Sequence, residues 1–281
     1  MKYYIVDAFT SEPFGGNTAG VVLLDGDFPS DKLMLHVAAE LRYSETAFVR
    51  HDGPAEFTLR YFTPAAEVDL CGHATVASFG LLLREGLVAD GDLCLNHTLA
   101  GNLKVKAGER VMMQMAAPRL LELPLDIDRL HRIIAGDSQP QWPDGPIEVI
   151  STGLPDIILP VESISDLNAL SPNMDALARL SRELDVVGVH VFALADDGYC
   201  AHVRNFAPRY DIPEESATGT ANAALTHYLT RRGLVKRGQD CRFMQGEVMG
   251  HPSVVATTLD EGGSIWVGGQ CCIVARGDLL V

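Results

Sequence analysis

Three side chains in two short segments could carry acid–base chemistry. Glu45 stands among small and apolar residues in Ser44–Val49, and a carboxylate withdrawn from water can exchange protons near neutral pH. Cys71 and His73 lie at the start of a predicted helix, where a thiol pKa falls and an imidazole can donate to an anion. Each also has a structural interpretation: a solvated strand edge for Glu45, a core thiol for Cys71 and a backbone-bonded helix start for His73.

A second segment, Glu215–Ala221, has the same character as Asp69–Thr75. Each places a glycine at the predicted first position of a helix, and glycine lets a ligand approach the backbone closely. A helix N-terminus carries about four N–H groups without a partner and about half a positive charge. Two anion-binding helix ends are therefore predicted, although an ordinary helix start would show similar residues. The N–H groups that would hold a carboxylate and acidify its α-proton belong to Gly72, His73, Gly219 and Thr220.

The spacing of ligand-type residues indicates neither a metal ion nor a cofactor. The chain has no H-E-x-x-H, C-x-x-C or Walker motif and no G-x-S-x-G turn. Phe14–Gly20 is rich in glycine and follows a predicted strand, but it lacks the G-x-G-x-x-G pattern of dinucleotide-binding proteins. We interpret this segment as a loop that lines a pocket, with Asn17 as a candidate substrate contact.

The elements around these residues occur twice. Without gaps, Gly72–Gly91 aligns with Gly219–Gly238. Upstream, Phe62–Pro64 matches Phe206–Pro208 after a three-residue shift. A common helix C-cap would explain the shared Gly-Leu-Val alone, but the similarity extends beyond it in both directions. We therefore predict two copies of one unit and expect the two helix N-termini to face a shared cleft.

The repeated helices are largely apolar on all sides, which predicts that each is buried within a curled sheet. Strand patterns outnumber helix patterns and do not alternate with them one for one. This arrangement favours an α+β fold with mixed sheets. The predicted helices are Asp31–Leu41, Gly72–Arg84, Ile127–Ala135, Met174–Leu184 and Gly219–Arg231.

The composition is typical of a globular protein of the cytoplasm. The 22 basic and 37 acidic residues give a formal charge of −15, which argues against nucleic acids and anionic membranes as partners. No apolar stretch approaches the roughly 20 residues that span a bilayer. The acidic Asp7 interrupts any signal-peptide apolar region, and six cysteines without a C-x-x-C pair favour reduced thiols.

At these motifs the chain resembles the PhzF family of phenazine biosynthesis-like isomerases, which are related to diaminopimelate epimerase and proline racemase. The resemblance covers the whole length. The motifs that carry it are Asp7-Ala8-Phe9, Gly16-Asn17, Ser44–Phe48, Phe62–Pro64, Asp69–Thr75, Arg204–Pro208, Glu214–Ala221, Gln245-Gly246 and Met249–Ser253.

The resemblance implies a diaminopimelate epimerase-like fold. Its two pseudo-symmetric lobes would each be a barrel-like mixed β-sheet around a central buried helix, with the active site between them. The N-terminal lobe would comprise residues 1–117 and be joined by the C-terminal strand 268–281, and the C-terminal lobe would comprise residues 118–267. A homodimer is possible, because family members often dimerise.

The resemblance also implies a cofactor-independent isomerase. Glu45 would be the general acid/base that shifts a proton between carbons of a small, cyclic carboxylic acid. Glu215 replaces the family's aspartate, and one extra methylene moves a carboxylate by about 1 Å, so the substrate itself stays open. The other departures are Ser216 for proline, Thr220 for serine and His251 for arginine. The substrate contacts that the motifs imply are Gly72, His73, Glu215, Gly219, Thr220 and Asn17.

Two further functions stay open on the sequence. Cys71-Gly72-His73 also resembles the first thiol motif of proline racemases, and Thr218 resembles the second motif of their dehydratase relatives. The chain could therefore be a single-cysteine racemase or dehydratase of a proline-like amino acid, with Cys71 as an alternative acid/base. It could also be a non-catalytic protein that binds a small anion.

Overall fold

The computed structural model describes residues 1–281, which form two compact units. The first contains residues 1–114 and 268–281, and the second contains residues 115–267. The first unit thus ends at Gln114, slightly before residue 117, where the sequence analysis placed the end of the N-terminal lobe. The C-terminal segment belongs to the first unit.

The strands are short and numerous. The chain begins with β1 (Lys2–Ala8), β2 (Asn17–Leu23), β3 (Thr46–Gly53), β4 (Glu56–Phe62), β5 (Glu67–Val68), β6 (Leu93–Thr98), β7 (Gly101–Lys106) and β8 (Val111–Gln114). It continues with β9 (Arg119–Leu121), β10 (Glu148–Ser151), β11 (Pro155–Pro160), β12 (Gly188–Leu194), β13 (Ala201–Ala207), β14 (Ile212–Glu215), β15 (Cys241–Gln245), β16 (Ser253–Leu259), β17 (Ile265–Gly269) and β18 (Cys271–Asp278).

Six α-helices connect the strands. They are α1 (Asp31–Leu41), α2 (Gly72–Arg84), α3 (Ile127–Ala135), α4 (Ile164–Ala169), α5 (Met174–Leu184) and α6 (Gly219–Arg231). Five of them have the predicted bounds, and the six-residue α4 is too short to show a helical period. None combines the length and the apolar character that a bilayer crossing requires.

In the first unit, a mixed sheet follows the order β18-β1-β2-β3-β4-β6-β7-β8. Two pairs are parallel, β2 with β3 and β4 with β6, and β5 adds to β4 in the antiparallel sense. A parallel pair needs a long crossover connection. α1 supplies the first crossover and α2 supplies the second.

The second unit repeats this arrangement in the order β9-β10-β11-β12-β13-β15-β16. Here β11 pairs with β12 and β13 with β15 in parallel, and β14 adds antiparallel to β13. α4 and α5 form the first crossover and α6 the second. The mixed sheets confirm the predicted α+β class, and the shared pattern follows the internal repeat.

The helices α2 and α6 differ from the others in their burial and in their N-termini. Residues 74–82 of α2 are buried, as are residues 221–226 of α6, as expected of helices that are apolar all round. Side chains cap the N-termini of the other four helices, through Ser30, Asp126, Ser163 and Asn173. Cys71 and Thr218 occupy the same positions in α2 and α6 without a side-chain capping bond.

Each unit also packs amphipathic helices against its sheet. In the first, Met34 and Val37 of α1 join Phe48 and Phe62 in a buried cluster. In the second, residues of α3 and α5 such as Leu177 pack on the strands. Burying one such side chain contributes about 1.5–3 kcal/mol, so these helices hold the sheets that carry the candidate site residues.

Candidate active site

Glu45 lies immediately before β3, where the chain enters the sheet. Its carbonyl oxygen accepts a hydrogen bond of 3.1 Å from the Gly20 N–H, because β3 pairs in parallel with β2. A Cβ on Gly20 would come within 2.7 Å of Thr46 Oγ1, so this close approach requires glycine. The Glu45 side chain keeps 20% of its surface exposed and can still meet a ligand.

His73 joins Glu45 to the N-terminus of α2. Its Nε2 lies 3.3 Å from Glu45 Oε2 and 3.3 Å from Ser44 Oγ. Burial lowers the pKa of His73, and the Glu45 carboxylate only partly opposes this effect. The imidazole is therefore neutral at pH 7, and it can orient the Glu45 carboxylate without neutralising it.

Cys71 completes a cluster on the other side of the imidazole. Its Sγ lies 3.3 Å from His73 Nδ1 and 3.8 Å from Nε2. One ligand-type atom from each of Glu45, Cys71 and His73 lies within 4.8 Å of the others, and zinc accepts all three donor types. The spacing of motifs could not show this donor set, because Glu45 comes from a different segment. That the protein uses no metal stays a prediction.

Asn17 occupies the first position of β2, opposite Ala8 of β1. The preceding loop is held by the buried Asp7, whose carboxylate accepts hydrogen bonds from the Phe14 N–H at 2.8 Å and the Thr18 hydroxyl at 2.5 Å. Asp7 is thus an anchor for the segment that presents Asn17, a role that its place in a sequence motif does not reveal.

In the second unit, Glu215 is tied to the N-terminus of α6. The Thr218 hydroxyl donates to Glu215 Oε2 at 2.5 Å. The Gln245 side chain donates to the Glu215 carbonyl at 2.8 Å and accepts from the Thr218 N–H at 3.1 Å. Gln245 therefore clamps this turn. In the sequence, Gln245 stands out only as part of the Gln245-Gly246 motif, and no pattern in β15 predicts this contact.

The two helix-starting glycines have room around them. A Cβ on Gly72 would find its nearest neighbour, Met113 Cε, at 3.6 Å, and one on Gly219 would meet Val267 at 3.5 Å, which are ordinary contacts. Thr220 is fixed through its carbonyl, which accepts from the Thr152 hydroxyl at 2.9 Å. Packing does not require glycine at either position. A glycine there is consistent with a ligand that approaches the backbone closely.

Within the first unit, the fold thus brings together Glu45, Cys71 and His73. Within the second, it brings together Glu215, Thr218 and the start of α6. The first group offers a carboxylate, a neutral imidazole and a thiol beside a helix N-terminus, which suits transfer of a proton to or from a carbon atom.

Known structures share this fold. A PhzF-family phenazine biosynthesis protein of Bacillus anthracis superposes with a TM-score of 0.87 at 27% sequence identity, covering 100% of this chain and 99% of that one. A probable proline racemase of Agrobacterium radiobacter superposes with a TM-score of 0.63 at 15% identity, covering 100% and 93%. The fold is therefore that of the PhzF proteins and the racemase-like epimerases.

A family profile described as "Phenazine biosynthesis-like protein" (PhzC-PhzF) matches residues 6–277. The chain belongs to this family and is an isomerase. The uncharacterized isomerase YddE of Salmonella typhimurium is 33% identical over 296 residues, covering 100% of this chain and 98% of the relative. The trans-2,3-dihydro-3-hydroxyanthranilate isomerase of Pseudomonas chlororaphis is 30% identical over 292 residues, covering 99% of both.

Proposed function

We propose that the protein shifts a proton between carbons of a small, cyclic carboxylic acid, with Glu45 as the general acid/base and no cofactor. The observation that supports this most directly is the 3.3 Å contact between Glu45 Oε2 and His73 Nε2 beside a helix N-terminus without a side-chain cap. The cytoplasm is its proposed location.

The reaction needs only the side chains and backbone of this site. Glu45 takes a proton from one carbon of the substrate, and the electron pair moves into the conjugated system that includes the carboxyl group. The N–H groups of Gly72 and His73 stabilise the negative charge that develops there. Glu45 then returns its proton to another carbon, so that no atom is gained or lost and nothing is oxidised.

The relatives support the choice of substrate class. The Pseudomonas chlororaphis relative is named for an isomerisation of trans-2,3-dihydro-3-hydroxyanthranilate, which is a ring carboxylic acid. We carry over the class, a ring with a carboxylate, and not the individual compound. The further substrate contacts that we propose are Glu215, Gly219, Thr220 and Asn17.

The test follows incorporation of solvent deuterium into ring carboxylic acids, trans-2,3-dihydro-3-hydroxyanthranilate among them, by NMR. We expect Glu45→Gln to slow exchange by about 10²–10⁴-fold, as loss of a general base does, while Cys71→Ser keeps most of it. Both substitutions preserve side-chain size, so circular dichroism can check that the variants fold. Exchange that survives Glu45→Gln unchanged would refute the assignment.

A second candidate rests on the 3.3 Å distance between Cys71 Sγ and His73 Nδ1, since a neighbouring base can activate a thiol. The protein would then be a single-cysteine racemase or dehydratase of a proline-like amino acid. In that case Cys71→Ser abolishes exchange at the α-carbon of proline and Glu45→Gln does not. Binding of either ligand class without any exchange would instead indicate an anion-binding protein.

A further inference from the structure

A buried polar cluster lies in the second unit, whereas the proposed proton-transfer group belongs to the first. Its members are Asp156 on β11, His190 on β12, Asn205 on β13, Asn222 on α6 and Gln245 on β15, and each has 0% of its surface exposed. Burying this many polar groups is costly unless they are paired.

The internal repeat shows that the fold does not require an imidazole at the position of His190. Strand register places Ala47 opposite Tyr61 in the first unit, where the second unit has His190 opposite Asn205. The first unit therefore has a methyl group where the second unit has an imidazole. Its Tyr61 hydroxyl is satisfied by Thr75 at 2.7 Å. The first unit thus buries a polar set of its own, Tyr61 with Thr75 and Asn96, and the imidazole of His190 is what the second unit adds.

Part of the cluster forms a directed chain of hydrogen bonds that ends on Glu215. The Asn222 amide donates to Gln245 Oε1 at 2.8 Å, and Gln245 Nε2 donates to Thr218 Oγ1 at 3.1 Å. The Thr218 hydroxyl then donates to Glu215 Oε2 at 2.5 Å. Each donor points toward the carboxylate of Glu215.

The remaining members have atoms without a hydrogen-bond partner, and these atoms are chemically complementary. Asn205 Nδ2 lies 3.2 Å from His190 Nδ1, so a neutral His190 carries its proton on Nε2. That donor is unpartnered, as is the acceptor Asn222 Oδ1. Asn205 Oδ1 and both carboxyl oxygens of Asp156 are also unpartnered. The side chains of Asp156 and Asn205 interact, and Asn205 Oδ1 can pair with a carboxyl oxygen of Asp156 only if Asp156 carries a proton.

We propose that Asp156 is a positioning residue, a neutral carboxylic acid whose proton completes a buried hydrogen-bond chain that orients Glu215 for substrate. This proposal rests on the proposed role of Glu215 as a substrate contact. Loss of the proton leaves Asn205 Oδ1 without a donor and places a second negative charge near Glu215. Substrate binding therefore weakens when Asp156 ionises, while proton transfer by Glu45 does not change.

The balance of burial and charge around Asp156 favours its neutral form. Its side chain interacts with the carboxylate of Glu215 on β14 and with the amide of Asn205 on β13, whose hydrogen bond alone opposes the rise in pKa. His190 lies on the adjacent strand β12. Burial raises the pKa of Asp156 to about 7, and the charge of Glu215 acts in the same direction. Burial also lowers the pKa of His190 to about 3, so no cation is present to stabilise an ionised Asp156.

The protonation state can be tested without substrate. Difference infrared spectra should show the C=O stretch of a protonated carboxyl group that fades as pH rises through about 7. Asp156→Asn should remove this band, and Asp196→Asn, which changes an exposed aspartate of the same unit, should retain it. If Asp156→Asn leaves the spectrum unchanged, Asp156 is ionised and the proposal is wrong.

The positioning role is tested by calorimetric binding of anthranilate, a stable ring carboxylate. Because only the neutral form is competent, the Kd should rise about ten-fold between about pH 6 and pH 8. Asp156→Asn, which keeps a donor toward Asn205 Oδ1, should hold the pH 6 value throughout, whereas Asp156→Ala should bind weakly at both. Asp196→Asn should follow the wild-type protein.

The outcomes separate this inference from the proposed function. A wild-type pH dependence in Asp156→Asn, or tight binding by Asp156→Ala at pH 6, would overturn the positioning role. If the protein binds no anthranilate at any pH while the infrared band is present, Asp156 is protonated but does not act in substrate recognition, and the positioning role is wrong. A failure of Glu45→Gln to slow deuterium exchange would refute the proposed function and leave the infrared result standing.

Discussion

Burial favours the uncharged forms of both His73 and Asp156, although one is a base and the other an acid. Burial lowers the pKa of His73 and raises that of Asp156 to about 7, because a low-dielectric interior disfavours either charge. Glu45, in contrast, retains an exposed fraction of 20%. A partly solvated carboxylate beside a neutral imidazole can give and take a proton without carrying a fixed counter-charge.

The pKa of Asp156 predicts how stability depends on pH. An unfolded aspartate titrates near 3.8 and the folded one at about 7, so folding favours the protonated form. This contribution is complete below about pH 4 and is lost as pH rises to about 7, where the loss levels off at about 4 kcal/mol. Asp156→Asn cannot ionise, so the excess of its free energy of unfolding over that of the wild-type protein should grow from pH 4 to about pH 7 and stay constant from there to pH 9.

Urea unfolding across this pH range measures the effect. Asp196→Asn is the matched control, because Asp196 is exposed and its substitution should shift stability by less than about 0.5 kcal/mol at every pH. Parallel curves for Asp156→Asn and the wild-type protein would show that Asp156 does not gain a proton on folding.

At the scale of elements, the two buried helices are distinguished by what their N-termini lack. Four helices begin with a side-chain cap, but α2 and α6 begin after Cys71 and Thr218 without one. A cap typically stabilises a helix by about 1 kcal/mol. Its absence at both copies of the repeat is consistent with N–H groups reserved for an anionic ligand, the role that we propose for them.

The loop before β2 leads to Asn17, and the backbone at Gly16 in this loop allows a prediction about stability. Gly16 has a φ of +70°, and a Cβ there would lie 2.1 Å from the Ala8 carbonyl oxygen. Gly16→Ala should therefore lower the free energy of unfolding by about 2 kcal/mol or more. Gly26→Ala, where a Cβ meets nothing within 4 Å, should change it by less than about 0.5 kcal/mol.

Thermal unfolding of Gly16→Ala and Gly26→Ala, each against the wild-type protein, measures the two changes in stability. Equal effects of Gly16→Ala and Gly26→Ala would mean that the loop relaxes freely and that Asp7 does not hold it in one conformation.

At the scale of the whole molecule, the two copies of the repeated unit carry different sets of polar side chains. The first copy carries a carboxylate, an imidazole and a thiol within 4.8 Å of one another. The second carries Glu215, which hydrogen bonds link to a buried polar cluster, and it has His190 where the first has Ala47. We interpret the first copy as the proton-transfer half and the second as the substrate-orienting half.

The proposed reaction predicts that metal removal has no effect on rate. In the proposed reaction Glu45 transfers the proton without a metal, so dialysis against a chelator should leave deuterium exchange within about two-fold of the untreated rate. Added zinc should inhibit, because the same three donors suit that ion. Loss of exchange on chelation, with recovery on zinc addition, would assign the cluster to a metal site instead.

Much of this architecture could be predicted from the chain alone. The bounds of α1, α2, α3, α5 and α6, the doubled unit and the mixed-sheet class follow from hydrophobic period and internal similarity, which are local properties of the sequence. The motifs around Glu45 and His73 also marked these residues as candidates. Membership of the PhzF family is confirmed, whereas the roles of Glu45 and His73 stay predictions.

Only tertiary structure could decide which polar groups meet and how far each is withdrawn from water. Glu45 and Cys71 approach His73 because a crossover helix starts beside the entry to β3. Likewise, Asp156 becomes an acid of unusual pKa only because the folded chain buries it completely and places Glu215 near it. Sequence periodicity records which face of an element is buried, whereas pKa and hydrogen bonding depend on neighbours that lie far apart along the chain.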